Sequence, residues 1–552
     1  MNIPEQKLQL LPAANGEITA IISRRDGREL YLHSRFDPSK EAKDLVAKTP
    51  MRENTLYLIL GCGFGYHIKE LLRKIPQNSR IVVIESSAAP LGTTMQQYYQ
   101  KQGKIWIKDR RLSFVALNDP QIVCFILADS FVKNHLYSLE MLTHIPSSLT
   151  DEVFYRQVVE LVPNDFPRRL KDYLQTIDTT LESNLVNYWK NLEVTWRNPP
   201  IGGFADQWAG KPAIIVSAGP SLTAQLDWLR QAQGKALIIC VSTAAKVLIQ
   251  HGISPDFVMA IDPYGANMAH FEGWDTTSAA LLYYQKVWRG IPAMYKGLKF
   301  WFTMQGEAAI PLIRPFPKGQ FNGGGTVAFS ALQFARYIKA DPIIFVGQDF
   351  AFLDGVTHAA GTDYNVSFSE ETLPEDFFRV QGTNGSMVIT NRMYYAYLLF
   401  MQEYICRHQD MRYINTSLTG AQIQGTEAMS LEEAVKLFCT DCVNTGKLVQ
   451  DTWNTYQPIK NEDSVSLLRA WEREIGYFLK PDKAITELDK MVSGFKKMAI
   501  YKLQHSDYDE LFYMADMKEK WFGEPSRAGV AKRLKAHVDV ILQTISQLQK
   551  TK

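Results

Sequence analysis

Cysteine is scarce in this chain: six in 552 residues, at positions 62, 124, 240, 406, 439 and 442. A disulfide framework of the secreted kind is far denser, so reduced thiols in a core are expected. Cys439 and Cys442 have CxxC spacing, but no second pair and no neighbouring histidine pair completes a zinc set. Charge of one sign is lacking as well. Lys and Arg number 60 against 58 Asp and Glu, which gives no general attraction to nucleic acid or to an anionic membrane. An anionic ligand therefore needs a local site. No apolar run approaches the roughly 18 residues of a membrane span, and the opening MNIPEQKLQL has no basic segment leading into an apolar core. A cytoplasmic chain with no membrane span and no nucleic-acid partner is the expectation. Absent too is any G-x-x-x-x-G-K-[ST] loop, which argues against ATP hydrolysis of the P-loop kind. The middle of the chain has no D-x-D pair at a strand end, so no metal site and no cofactor is expected there.

What is present is ordinary globular material, 46% apolar and 21% charged, long enough for two or three cores. The uncharged run Thr55–Leu60 reads as a strand. Gly61, Gly63 and Gly65 follow it, then a helical stretch to about Ile75 and a second strand, Arg80 to Ile84, that ends at Glu85. That layout fits a Rossmann-like unit, and an acidic residue some 20 positions after the glycines is placed to take a ribose hydroxyl, as in methyltransferases that use S-adenosylmethionine. The simpler reading is that the glycines only close the strand–helix turn. From about Pro146 to Val194 the pattern turns helical, and Asn198-Pro199-Pro200-Ile201-Gly202-Gly203 reads as a linker.

Beyond it, strand candidates Ala213–Val216, Ala236–Val241, Asp256–Ile261, Ala279–Tyr284, Lys299–Phe302 and Pro342–Val346 alternate with helices. Such alternation of β-branched runs and helices predicts a mostly parallel sheet covered on both faces. After Gly425 the pattern is helical, with apolar stripes Leu468, Trp471, Ile475, Phe478 and Leu534, Val538, Ile541, Ile545, Leu548. These stripes read as core packing. The fold class is thus α/β: an N-terminal Rossmann-like domain (1–145), a helical linker (146–200), a central α/β domain (201–428) and a C-terminal helical domain (429–552).

Ligands of open α/β sheets bind at the carboxyl ends of strands. In the central domain those ends are Ser217 to Leu222, Ser242-Thr243, Asp262-Pro263-Tyr264 and Gly347-Gln348-Asp349, with Asn322 to Thr326 entering the helix before the last of them. Two segments sit at helix starts, where open N–H groups favour a phosphate. Gly219 permits close approach of the backbone, and Ser221 and Thr326 can cap a helix or donate a hydroxyl.

Ser217-Ala218-Gly219-Pro220-Ser221-Leu222, Gly323-Gly324-Gly325-Thr326-Val327 and Phe345-Val346-Gly347-Gln348-Asp349 together resemble the motility-associated factor (Maf) family of flagellin glycosyltransferases. His33-Ser34-Arg35-Phe36-Asp37-Pro38 with Glu41-Ala42, and Gly420-Ala421 through Gly425-Thr426-Glu427, also look like that family. The resemblance implies a central domain similar to bacterial sialyltransferases. It further implies transfer of a nonulosonic acid, pseudaminic or legionaminic, from its CMP conjugate to Ser or Thr of flagellin. Donor-site roles come by resemblance to Gly219, Pro220, Ser221, Leu222, Gly324, Gly325 and Thr326. Ser242, Thr243, Asp262, Gly347 and Asp349 join them by strand-end position.

A transfer of this kind needs a base for the acceptor hydroxyl and hydrogen bonds for the departing phosphate. His358 is the candidate base, since imidazole titrates near neutrality, and Tyr364 the candidate phosphate partner. The middle domain alone also looks like archaeal enzymes that pyrophosphorylate a hydroxymethylpterin. Two alternatives therefore stand beside the transferase: a pyrophosphokinase, and a non-catalytic flagellin-binding protein.

Overall fold

The computed structural model describes residues 8–23, 28–86, 109–117, 119–305, 319–323, 325–353, 355–362, 374, 377–456, 466, 468–470, 472–473, 505–522 and 527–550. The chain divides into two compact units, Met1–Asp178 with Phe512–Ser526, and Thr179–Leu511 with Arg527–Lys552. Among the described residues no helix is long and apolar enough to cross a membrane.

The first unit opens with an antiparallel sheet of β1 (Leu8–Pro12), β2 (Ile18–Ser23) and β3 (Glu29–Tyr31). A parallel sheet follows, built from β4 (Thr55–Leu60), β5 (Arg80–Ser86), β6 (Leu112–Leu117) and β7 (Ser138–Thr143) in the order β6-β5-β4-β7. Every residue of β4 is buried, as expected for a central parallel strand covered on both faces. Helix Tyr66–Lys74 lays Ile68, Leu71 and Leu72 against it in one cluster with Tyr57, Ile59 and Val83.

The glycine-rich turn after β4 is packed with the chain's own side chains. A Cβ on Gly61 would stand 2.3 Å from the Ser147 Cβ, and one on Gly63 would stand 2.5 Å from His33 Nε2. Glu85 accepts from the Cys62 N–H at 2.7 Å on one oxygen and from the Tyr155 hydroxyl on the other. All three glycines of the turn have positive φ, and at Gly61 and Gly63 the space that a side chain would take is filled by Ser147 and His33. The motif around His33 is likewise architectural: Asp37 caps helix Pro38–Val46 by accepting from Lys40 N, and Glu41 accepts from Ser34 N.

The second unit carries a nine-stranded sheet. Its strands are β8 (Ala213–Val216), β9 (Leu237–Val241), β10 (Phe257–Ala260), β11 (Ala280–Tyr284), β12 (Lys299–Met304), β13 (Gln320–Phe321), β14 (Ile343–Val346), β17 (Tyr413–Asn415) and β18 (Glu427–Ala428). Their order is β13-β12-β11-β10-β9-β8-β14-β17-β18. Every pairing is parallel, so all the carboxyl ends lie along one edge. β8, β9, β10, β11 and β14 are buried throughout, and each fully buried Ile or Val there is worth about 1.5–3 kcal/mol. An antiparallel hairpin of β15 (Phe377–Gln381) and β16 (Met387–Asn391) inserts between β14 and β17. Its side chains reach back to the sheet, where Phe352 stacks on Phe377 and Tyr394.

Toward the C-terminus, helix Arg527–Lys550 buries Leu534, Val538, Ile541 and Ile545, the stripe that the sequence marks as core. Leu468 is buried too, while Trp471, Ile475 and Phe478 lie outside the described residues. Cys439 is buried beyond its helix, Cys442 is exposed, and both are free thiols.

Candidate functional site

Chain order fixes where a ligand crevice falls. From β8 the chain steps outward through β9 to β13, then returns to the other flank of β8 as β14. Loops leaving β8 and β14 thus diverge at the carboxyl edge, which makes this the topological switch point of the sheet. The segments that leave there are Ser217–Leu222 and Gly347–Asp349.

These two segments are tied together closely. Ser217 N donates to Val346 O at 2.8 Å and Gly219 N to Gly347 O at 2.9 Å. Ser217 Oγ donates to Gln348 Oε1 at 2.7 Å. Gly219 sits so near Asp349 that a Cβ would stand 2.4 Å from its Oδ2 and equally near Gly347 O. Gly347 has φ +65, and a Cβ there would meet Ser217 O at 2.3 Å. Pro220 starts a six-residue 3-10 turn, Pro220–Gln225, whose Leu222 is buried.

Asp349 is the hub. Its carboxylate accepts from Ser221 N at 2.8 Å and Ser221 Oγ at 2.5 Å, and the Ser417 side chain also bonds it. The Asp349 carbonyl accepts from Ala421 N at 2.8 Å, and a Cβ on Gly420 would stand 2.8 Å from the Asp349 Cα. Burial holds its carboxyl above the usual carboxylate range, against the opposing bonds from Ser221 and Ser417. The chain leaves through Phe350 in a left-handed conformation, φ 48, a strained state for a bulky residue that clusters at functional sites. Three loops, those after β8, β14 and β17, therefore meet on one side chain.

The remaining predicted residues lie along the same edge. Helix Ser242–Gln250 begins directly on β9 with no side-chain cap, Ser242 buried and Thr243 half-buried. Asp262 follows β10, and burial pushes its carboxyl up. Helix Val327–Tyr337 is capped by Thr326, which accepts from Phe329 N at 3.1 Å. The other first-turn N–H groups of these two helices have no intrahelical acceptor. Gly325, at φ +76, lets Tyr397 lie where a Cβ would come within 2.7 Å of its ring. Tyr397 is within electrostatic reach of Asp262, and Tyr394 of both Tyr397 and Asp349. The segment Asn322–Thr326 follows β13, so it lies at the carboxyl edge of the same parallel sheet as Ser217–Leu222.

His358 is half-buried, and its neighbour Ala359 donates from N to Ala218 O at 2.9 Å, which brings the 355–362 segment against the β8 turn. Gly324 and Tyr364 lie outside the described residues. Ser417, Tyr394 and Tyr397 were not picked out from the sequence. Ser417 follows a three-residue strand too short to register as one, and the tyrosines sit on helix Arg392–Arg407, where an aromatic-rich face reads as core.

Comparison with known proteins follows this geometry. Residues 186–355, which span β8 to β14, match the family model described as 6-hydroxymethylpterin diphosphokinase MptE-like. An uncharacterized protein of Treponema pallidum (strain Nichols) is 24% identical over 358 residues, 61% of this chain; the match spans 58% of that relative's length. The solved structure of the MAf glycosyltransferase from Magnetospirillum magneticum AMB-1 aligns over 99% of this chain and 92% of its own, at 15% identity and a TM-score of 0.43. The second unit of this chain thus holds an all-parallel nine-stranded sheet, and the stretch 186–355 that supplies β8 to β14 is similar to the MptE-like family.

Proposed function

We propose that the chain is a glycosyltransferase that moves a nonulosonic acid, pseudaminic or legionaminic, from its CMP conjugate to Ser or Thr of flagellin, in support of flagellar assembly and motility. The observation that carries this reading is that the Ser217–Leu222 turn, clasped by Asp349 at the switch point, and the Gly325–Thr326 turn after β13 both lie at the carboxyl edge of one parallel sheet. Together with the motif resemblance, it supports a nucleotide-sized ligand lying across the carboxyl edge.

In this reading the departing phosphate is received by the helix starts at Ser242-Thr243 and at Thr326, where open N–H groups and the helix dipole favour negative charge. The Gly219–Leu222 turn, closed by Asp349, forms the wall of the crevice, and Asp262 takes a hydroxyl of the donor. His358, beside the β8 turn, accepts the proton of the acceptor hydroxyl as that oxygen attacks the sugar. No covalent enzyme intermediate is required.

A second reading is favoured by the MptE-like match over 186–355: a pyrophosphokinase that binds ATP with magnesium. Calorimetric titration separates the two. A transferase binds CMP and not magnesium ATP, and the reverse result overturns the proposal. Turnover is read by intact-mass spectrometry of co-expressed flagellin. His358→Ala is expected to abolish the added mass while CMP affinity stays within about twofold, and Ser221→Ala with Thr326→Ala to impair it in a protein that still folds. Flagellin binding without any added mass identifies the non-catalytic alternative.

A further inference from the structure

Arg289 lies in the turn that leaves β11 at the carboxyl edge, and it is held in place from two sides. Its guanidinium stands over the Trp288 ring at 4.1 Å from the centroid. The side chain of Asn187 accepts from the Arg289 N–H and from its Nη1, both at 3.4 Å. Asn187 is itself anchored, donating to Pro263 O at 3.0 Å and Lys286 O at 3.3 Å. Trp288 N donates to Asp262 O at 2.9 Å, which joins the Arg289 turn to the end of β10. Trp288 also packs against Gly265, where a Cβ would meet its ring at 3.2 Å.

Among the described residues this cation has no acidic partner. Among the described residues no carboxylate lies within ion-pair distance of Arg289, whereas Arg336, Arg412 and Arg230 each pair with an aspartate or glutamate. Its side chain is half-buried, stacked and ordered by an amide. A guanidinium fixed in this way presents the planar fork that matches a carboxylate bidentately, with little side-chain entropy left to lose on binding. β11 lies three strands from β8, about 14 Å at about 4.8 Å per strand. A nucleotide seated at the β8–β14 crevice therefore reaches Arg289 only with the far end of what it carries.

We infer that Arg289 receives the carboxylate of the acidic sugar carried by the nucleotide, and so selects acidic sugars over neutral ones. The inference rests on the transferase reading above and deepens it. Among the described residues the Arg289 side chain bonds none of those assigned to the nucleotide, and its turn reaches Asp262 only through the Trp288 N–H, so loss of the side chain is expected to leave CMP binding alone.

The test is calorimetric titration of the full chain and of Arg289→Gln with CMP and with CMP-N-acetylneuraminic acid, a carboxylate-bearing conjugate, prepared fresh and held at alkaline pH. The variant is expected to lose about tenfold or more in affinity for the conjugate, as for a charge-assisted hydrogen-bonded pair, with CMP affinity unchanged. Arg289→Lys, which keeps the charge without the fork, is expected to recover only part of that loss. Equal affinity of wild type and Arg289→Gln for the conjugate overturns the inference while CMP binding leaves the transferase reading standing. Equal loss for both ligands also overturns it, because the effect then belongs to the nucleotide. A wild type that binds magnesium ATP but not CMP overturns both, and a terminal phosphate then becomes the anion to test at Arg289.

Discussion

Ser221 donates both its backbone N–H, at 2.8 Å, and its hydroxyl, at 2.5 Å, to the carboxylate of Asp349, which is 128 positions further along the chain. An internal carboxylate thus stands where a phosphate would meet the β8 turn. The turn is a clasp between the β8 and β14 loops, and in the proposed reading the anion is taken instead by the helix starts after β9 and at Thr326. Asp349 also bonds Ser417, so the clasp holds the β17 loop as well.

Asp349→Asn tests the clasp. The amide can accept only on one atom, and its NH2 faces a Ser221 donor. Loss of a buried hydrogen bond to a charged group costs about 1.5–3 kcal/mol. The expected result is a lower urea midpoint together with weaker CMP binding. An unchanged midpoint would show that Asp349 does not hold these loops.

Gly219→Ala tests the close approach directly. Gly219 has φ -67, so alanine suffers no backbone strain there, but its Cβ would stand 2.4 Å from Asp349 Oδ2 and from Gly347 O. Forcing that atom in costs about 1–3 kcal/mol and pushes the clasp apart. Gly252 is the control. It has φ +69 with nothing near a Cβ, so Gly252→Ala bears only the left-handed conformation, about 1 kcal/mol. Thermal denaturation should rank Gly219→Ala as the more destabilised, and only that variant should lose CMP affinity, by about tenfold or more. Similar binding by both variants argues against the crevice.

Much of this architecture is visible in the residues, and the rest is hidden for identifiable reasons. The six central strands are apolar runs, uncharged but for Lys299 at the start of β12, and all six form within two residues of their expected bounds, because burial on both faces leaves no polar alternation to confuse the reading. β13, β17 and β18 are two or three residues long, below the length at which periodicity exists. The β15–β16 hairpin carries Phe377, Phe378 and Arg379 next to one another, so its alternation is blurred. The strand ends picked out from the sequence do fall along one edge of the sheet. The pairing of Ser221 with Asp349 could not be read, since an N-cap serine and a serine bonded to a distant aspartate look the same in one dimension. The first-unit glycines show a pattern with two readings: Gly61, Gly63 and Glu85 have the spacing of a cofactor loop, and the packing of Ser147, His33 and Tyr155 about them supports the simpler one, a closed strand–helix turn.

Asp256 makes stability depend on pH. It lies half-buried just before β10, accepts from Ile238 N at 2.8 Å, and desolvation of the carboxyl raises it from 3.8 to about 6. A carboxyl whose folded pKa lies above the unfolded one binds its proton more tightly in the native state. Its contribution is therefore most favourable below about pH 4, and it declines as pH rises to about 6, by on the order of 2–3 kcal/mol. Asp256→Asn, which keeps an acceptor for Ile238 N, should flatten that decline and match or exceed wild-type stability at pH 8. Denaturant midpoints measured from pH 4 to 8 decide it, and a variant that keeps the wild-type slope removes Asp256 as the cause.

The first unit should show the opposite dependence, because it buries three neutral histidines together. His144 stacks on His67 at 4.5 Å between centroids, and His33 lies 4.7 Å from His144. The His67 ring bonds Gly61 O at 3.1 Å, the His144 ring bonds Ser147 Oγ at 2.7 Å, and His33 Nε2 accepts from Phe64 N at 2.8 Å. Burial and mutual repulsion lower His67 to about 3 and His144 well below its ordinary value, while burial lowers His33 against the pull of Glu41 and Glu17. For each, the unfolded chain takes up a proton near pH 6.5 that the folded unit refuses. Stability is therefore full above about 6.5 and lost as pH falls toward 3, with each group adding up to about 1.4 kcal/mol per pH unit to the slope. Hydrogen exchange of β4 and of Ile145–Ser148 between pH 7.5 and 4.5, corrected for intrinsic rates, should report this opening. His67→Phe removes one group and should make the dependence shallower. Protection that does not change over this range would mean that the three rings accept protons without leaving their packed positions.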